Sequence, residues 1–167
     1  MRYAAVTAFF VLMAASAFGQ VSSPVSGNLG VHLNGGNLSE DPYGWGWGVG
    51  AHLDIDIPVV SFRLSGDYQL FLPEKNSGAD NVKLFSGTAN VKLPVLPLPV
   101  VKPYVTGGVG FASLTVGDES KTKPSLNVGA GVDFSFILTA FAEVRYNWIL
   151  TEGKTTGYIP LTVGLTF

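Results

Sequence analysis

From Val25 to Phe167 apolar and polar residues alternate with a period of two, broken at fairly even intervals by turn-forming residues. Eight segments carry the pattern. Val25 to Asn34 sets Leu29, Val31 and Leu33 against Asn28, His32 and Asn34, and Trp45 to Ile57 sets Trp45, Trp47, Val49, Leu53 and Ile55 against His52, Asp54 and Asp56. Ser61 to Leu70 and Lys83 to Leu93 continue it, with Phe62, Leu64 and Tyr68 opposite Arg63, Ser65 and Asp67, then Phe85 and Val91 opposite Ser86, Asn90 and Lys92. Pro103 to Thr115 alternates least cleanly. Ser125 to Phe136, Ala140 to Leu150 and Tyr158 to Phe167 repeat the design; Val144, Tyr146 and Trp148 stand opposite Glu143, Arg145 and Asn147, and Val163, Leu165 and Phe167 opposite Thr162 and Thr166. These segments predict eight antiparallel strands and no helix. The connections after the first, third, fifth and seventh are polar and read as loops: Gly35 to Gly44, Leu72 to Asn81, Val116 to Pro124 and Thr151 to Gly157. Pro58 to Val60 and Ile137 to Thr139 are tight apolar turns, while Pro94 to Lys102, with Pro94, Pro97 and Pro99, reads as a stiff extended spacer. One end of the fold has long loops and the other short turns, as in an up-and-down barrel.

Alternation leaves open which face of such a barrel meets water. Three features point the apolar face outward. Aromatic residues on it collect at strand ends: Trp45, Trp47, Tyr68, Phe85, Tyr146 and Trp148 toward the loop end, and Phe62, Phe134, Phe136 and Phe167 toward the turn end. Two aromatic girdles around an aliphatic band suit a bilayer, because amphipathic rings favour the headgroup level. The polar face mixes charges of both signs, and in a narrow eight-stranded barrel these fill the interior. Arg63 and Asp67 with Glu143 and Arg145 are expected to form a charge network across that lumen, either satisfying buried charge or gating small ions.

The third feature is a resemblance. The segments Pro103 to Phe111, Asn127 to Phe136, Ala142 to Trp148 and Ile159 to Phe167 resemble, in order, strands of the small outer-membrane β-barrel family that includes OmpA-like transmembrane domains. The resemblance implies an all-β, eight-stranded antiparallel transmembrane barrel in the outer membrane of a Gram-negative-type bacterium. It also implies that Phe167, with Leu165 and Val163 on the same face, serves as the recognition signal for the barrel-assembly machinery. It does not imply a cell-wall tether.

Met1 to Gly19 differs in kind: Arg2, an apolar run from Ala4 to Ala17, then small residues. This reads as a signal peptide over residues 1 to 19, cleaved after Ala17 or Gly19, followed by one barrel domain over residues 20 to 167. The run is shorter than the roughly 20 residues of a spanning helix.

Composition narrows the function classes. The 167 residues are only 13% charged with a formal net charge of -2, so the basic footprint of a nucleic-acid binder is missing. Zero Cys and two His provide poorly for metal sites, and no cofactor is expected. A His32, Asp41, Ser39 arrangement is the only catalytic constellation that suggests itself, from residue types common in polar loops; the chain reads as a non-enzyme. The glycines of Thr106 to Phe111 lie within a strand with no following helix, which disfavours a phosphate-cradling loop. The expectation is a monomeric barrel in contact with outer-membrane lipid, with an envelope-integrity or surface-interaction role. Two alternatives are a narrow porin-like channel for ions or a small apolar solute, and a soluble periplasmic binding barrel.

Overall fold

A computed structural model describes residues 25–38, 43–73, 81–96, 98–117, 119–151 and 154–167. The expected signal peptide, with both cleavage positions, and the loop residues Ser39 and Asp41 lie outside the described residues. Eight strands run in chain order: β1 Ser26–Leu38, β2 Tyr43–Asp56, β3 Ser61–Pro73, β4 Val82–Pro94, β5 Val101–Val116, β6 Glu119–Ser135, β7 Thr139–Thr151 and β8 Lys154–Thr166. Each pairs antiparallel with its chain neighbours, and β8 returns to β1 to close the barrel. Closure leaves no free edge, since reciprocal bonds between Leu29 and Phe167 (2.7 and 3.0 Å) continue the β1–β8 ladder to its end.

Within the barrel wall the two faces of a strand behave oppositely. On β3 the burial alternates from Phe62 through Gln69, with Phe62, Leu64 and Tyr68 exposed and Arg63, Ser65, Asp67 and Gln69 buried. Trp45 is 63% exposed and Arg63 only 3%. Such a surface in water would cost about 25 cal/mol per Å² of apolar area. The soluble-barrel alternative fails on this point, because it requires the apolar stripe inside. The outward stripe of β2, from Trp45 to Ile55, spans about 26 Å for a rise of ~3.4 Å per residue and a tilt of ~40°, matching the roughly 25 Å apolar band of membrane barrels.

The aromatic residues of this surface lie over gaps in the wall. A Cβ on Gly35 would meet the Trp45 ring at 2.7 Å, and one on Gly87 the Phe111 ring at 2.6 Å. Outward rings thus cover backbone that has no side chain of its own, and larger residues there would displace them.

Three connections differ from the sequence expectation. The polar stretch Val116 to Pro124 is not a loop: β5 runs to Val116, Gly117 turns with φ 59°, and β6 resumes at Glu119. Thr151 to Gly157 is likewise almost entirely strand, since β7 ends at Thr151 and β8 begins at Lys154. Where a hairpin rises clear of the apolar band both its faces are polar, so the period-two contrast vanishes although the ladder continues. Pro94 to Lys102 is folded back rather than extended: Val95 N donates to Pro103 O (2.9 Å) and Leu98 N to Leu96 O (2.9 Å). The hydrogen bond across the ends closes a turn that prolines alone would leave open.

Candidate functional site

The polar face converges on the lumen, where the side chains sort into layers. Nearest the short-turn end lies an ion-pair layer. Asp54 and Arg63 are direct cross-strand partners on β2 and β3, so their side chains meet without spanning the barrel. Arg63 grips Asp54 through two parallel bonds, Nε to Oδ1 and Nη2 to Oδ2, both 2.7 Å. This bidentate geometry is the strong form of the arginine–carboxylate pair. From β4, Lys92 Nζ lies 3.5 Å from Asp54 Oδ2 and 3.2 Å from Asp133 Oδ2 on β6, adding a cation between two acids. Lys92 also stands 4.2 Å from the Tyr104 ring centroid.

Glu143 on β7 links this layer to the opposite wall. It accepts from Tyr104 Oη at 2.8 Å, and Arg63 Nη1 lies 3.7 Å away. Arg145 Nε stands 2.8 Å from Glu143 Oε1, an ion pair by distance whose N–H is not aimed at that oxygen. Arg63, Glu143 and Arg145 of the expected network therefore stand together. Asp67 stands apart. It accepts from His32 Nε2 (2.7 Å) and Asn34 Nδ2 (2.6 Å), because His32 and Asn34 on β1 approach it across Gly50 of β2. A Cβ on Gly50 would run into His32 Nε2 and Asp67 Oδ1, so only glycine leaves room for this contact.

His32 and His52 form a second layer. Their Nδ1 atoms are 3.1 Å apart, and His52 Nε2 lies 3.0 Å from Thr166 Oγ1. Phe141 meets both imidazoles edge-on at centroid distances of 6.2 and 5.2 Å and carries the Arg63 guanidinium at 4.4 Å on its own ring. Nearby, Asn127 and Asn147 face one another in the β6–β7 register and keep amide atoms without protein partners, so this region calls for solvent to complete it.

The third layer, toward the loop end, is apolar. Leu38, Phe71, Val82, Leu84, Ala112, Ile149 and Tyr158 form one buried cluster, with Leu114 packed against it. Sequence reasoning missed it. Leu70-Phe71-Leu72 and Trp148-Ile149-Leu150 are apolar on both faces, so alternation could not reveal an inward hydrophobe. The usable signal was those runs, both at strand ends on the same side of the barrel.

Among the residues expected to form the loop-end girdle, Trp45, Trp47, Tyr68 and Tyr146 are exposed on the outer wall and Trp148 is half-buried. The Tyr146 and Trp148 rings lie 4.6 Å apart. Val163, Leu165 and Phe167 all face outward. Among the described residues no group of three or more His, Cys, Asp or Glu side chains is placed to hold a metal ion.

The family model for the outer membrane protein beta-barrel domain matches residues 3–167. The chain belongs to this family. It is an outer-membrane barrel of the Gram-negative envelope, with the closed eight-stranded architecture described above. No curated protein sequence matches it. Among solved structures it is similar in fold to Neisserial surface protein A (TM-score 0.67, 21% identity, covering 88% of this chain and 98% of that one). Ail, the attachment invasion locus protein of Yersinia pestis, follows at TM-score 0.54 and 19% identity, covering 84% of this chain and 97% of that one. The N-terminal β-barrel domain of Pseudomonas aeruginosa OprF is similar at TM-score 0.53 and 18% identity, with the same coverage of 84% and 97%.

Proposed function

We propose that this outer-membrane protein is a non-conducting, non-enzymatic barrel with an envelope-integrity or surface-interaction role. One observation carries the reading: beyond its short-turn mouth the lumen is crossed by two side-chain layers, an ion-pair layer around Arg63 and Glu143 backed by an apolar layer around Phe71 and Leu84. An ion crossing it would have to break paired charges and then enter a mainly apolar layer, which carries a large desolvation cost. The four-residue set Arg63, Asp67, Glu143 and Arg145 therefore serves to satisfy buried charge and hold the wall in register rather than to gate. The outward Val163, Leu165 and Phe167 are the side of β8 available to the barrel-assembly machinery, and outer-membrane lipid is the standing partner of the outer wall.

The exterior is reached by the β5–β6 hairpin. Ser113, Thr115, Ser120 and Thr122 form a ladder of exposed hydroxyls at 3.1–3.2 Å on one of its faces, and Lys121 projects from the other. A paired, hydroxyl-rich hairpin offers a partner many hydrogen-bonding groups at little ordering cost. Ail, whose name records attachment and invasion, is a barrel of similar fold, and this supports a surface-contact role here.

Single-channel recording in planar bilayers tests the reading. Wild type and Arg145→Ala are both expected to be silent under an applied voltage. Discrete openings in wild type that Arg145→Ala alters would establish the porin-like alternative.

A further inference from the structure

The short-turn end carries an apolar rim around a polar pit. The tips of the turns after β2, β4 and β6 are aliphatic or aromatic: Val59 is 78% exposed, Phe136 77% and Ile137 fully so, and Val95 and Leu96 are exposed as well. A contiguous exposed apolar surface of this kind marks an interface. Phe62, Phe134 and Phe167 lie on the strands just below the rim and join it to the apolar outer wall.

Inside the rim lies a cavity of about 520 Å³, within the size range of small-ligand sites. Lys92, Asp54 and Asp133 close its deep end and satisfy one another. Two further charged side chains line it without an ion-pair partner among the described residues. Asp56 on β2 accepts from Asn28 Nδ2 (2.7 Å), and Lys102 stands on β5 in register with Asp133. The two strands are three positions apart in the ring, so an acid and a base flank the mouth on separate sides.

We propose that this mouth binds the headgroup of a zwitterionic phospholipid from the periplasmic leaflet, its ammonium on Asp56, its phosphate on Lys102, and its glycerol and first methylenes against the rim at Ile137, on the Lys102 side of the ring. An unpaired acid and an unpaired base at one opening complement a headgroup bearing both charges, and the apolar ring supplies the match for the chains. The inference rests on the short-turn end facing the periplasm, as the family architecture places it.

The test uses the protein with equimolar phosphatidylethanolamine and phosphatidylglycerol, read by native mass spectrometry. The expected result is preferential retention of phosphatidylethanolamine by roughly tenfold, the fold-change of one charge-assisted hydrogen bond. D56N should abolish the preference, since phosphatidylglycerol has no ammonium, and K102Q should weaken both lipids. Both positions lie at the mouth, and a heat-dependent gel shift verifies that each variant is folded. Equal retention of the two lipids, or indifference to both substitutions, overturns the proposal. Competition by chain-free glycerophosphoethanolamine as strong as by the lipid would assign the mouth to a soluble ligand instead, and overturn the lipid source. A polarity-sensitive fluorophore on Ile137→Cys in liposomes should emit like one on the outward Val128→Cys. Water-like emission would overturn the leaflet assignment and leave the rim to a periplasmic protein.

Discussion

At the level of single side chains, the lumen is built from groups that few alternatives could replace. Arg63 satisfies Asp54 through two bonds, lies near Glu143 and stacks on Phe141, all while almost wholly buried. Removing it leaves buried Asp54 with only Lys92 at 3.5 Å, while Glu143 keeps Arg145. Arg63→Ala should therefore lower unfolding stability by about 3–5 kcal/mol, the usual cost of breaking a buried pair. Urea titration in phospholipid vesicles would measure this, and adding Asp54→Asn should recover part of the loss. If the single variant unfolds like wild type, the pair is not the main support of this layer. The histidines make a different prediction. A 3.1 Å Nδ1–Nδ1 contact is a hydrogen bond only if one nitrogen carries the proton and the other accepts it. With His32 Nε2–H donated to Asp67 and its Nδ1 accepting, His52 must donate from Nδ1 and receive the Thr166 hydroxyl at Nε2. A through-bond ¹⁵N–¹⁵N coupling between the two Nδ1 atoms is the expected NMR signature, and its absence would mean that the rings touch without bonding.

At the level of strands and hairpins, the same substitution should have opposite consequences at different heights. Val144 faces outward near the middle of β7, level with Ala130 and Leu161 on its neighbours. Val144→Arg places a charge in the apolar band and should cost about 2–4 kcal/mol. Thr122, on the β5–β6 hairpin beyond the outward ring of Phe111, already bonds to the Ser113 hydroxyl. Thr122→Arg should stay within about 0.5 kcal/mol of wild type. Comparable losses at both positions would mean that the band reaches past the Phe85–Phe111 pair, whose rings lie 6.0 Å apart. Strand existence was readable here from alternation, and facing once the aromatic sorting was added. Strand length was not: on Glu119 to Pro124 both faces meet water, so no periodic signal separates a paired extension from a loop.

For the whole molecule, stability comes from closure, internal ion pairs and one apolar plug, with no disulfide available. Folded barrel should migrate differently from boiled protein on an electrophoretic gel, and Phe71→Ala, which empties the largest fully buried side chain of the plug, should lower the temperature at which that difference disappears. An unchanged transition would show that the plug closes the lumen without supporting the fold. The division of labour between sequence and fold follows from the same geometry. Period-two alternation, with aromatic residues sorted to strand ends, determined the eight strands, their antiparallel order, which side chains face inward and the membrane destination, because each depends only on a residue and its near neighbours along the chain. Alternation says that Arg63, Asp67, Glu143 and Arg145 point inward; it does not say at what angle around the axis or at what height. Those depend on strand tilt and on the register in which β8 closes onto β1. Neighbouring-strand register set Arg63 on Asp54 and Asp67 beside His32; only the closed barrel brought Glu143 to Arg63, gathered Phe71, Leu84 and Ile149 from separate strands into one plug, and placed Asp56 and Lys102 at one mouth.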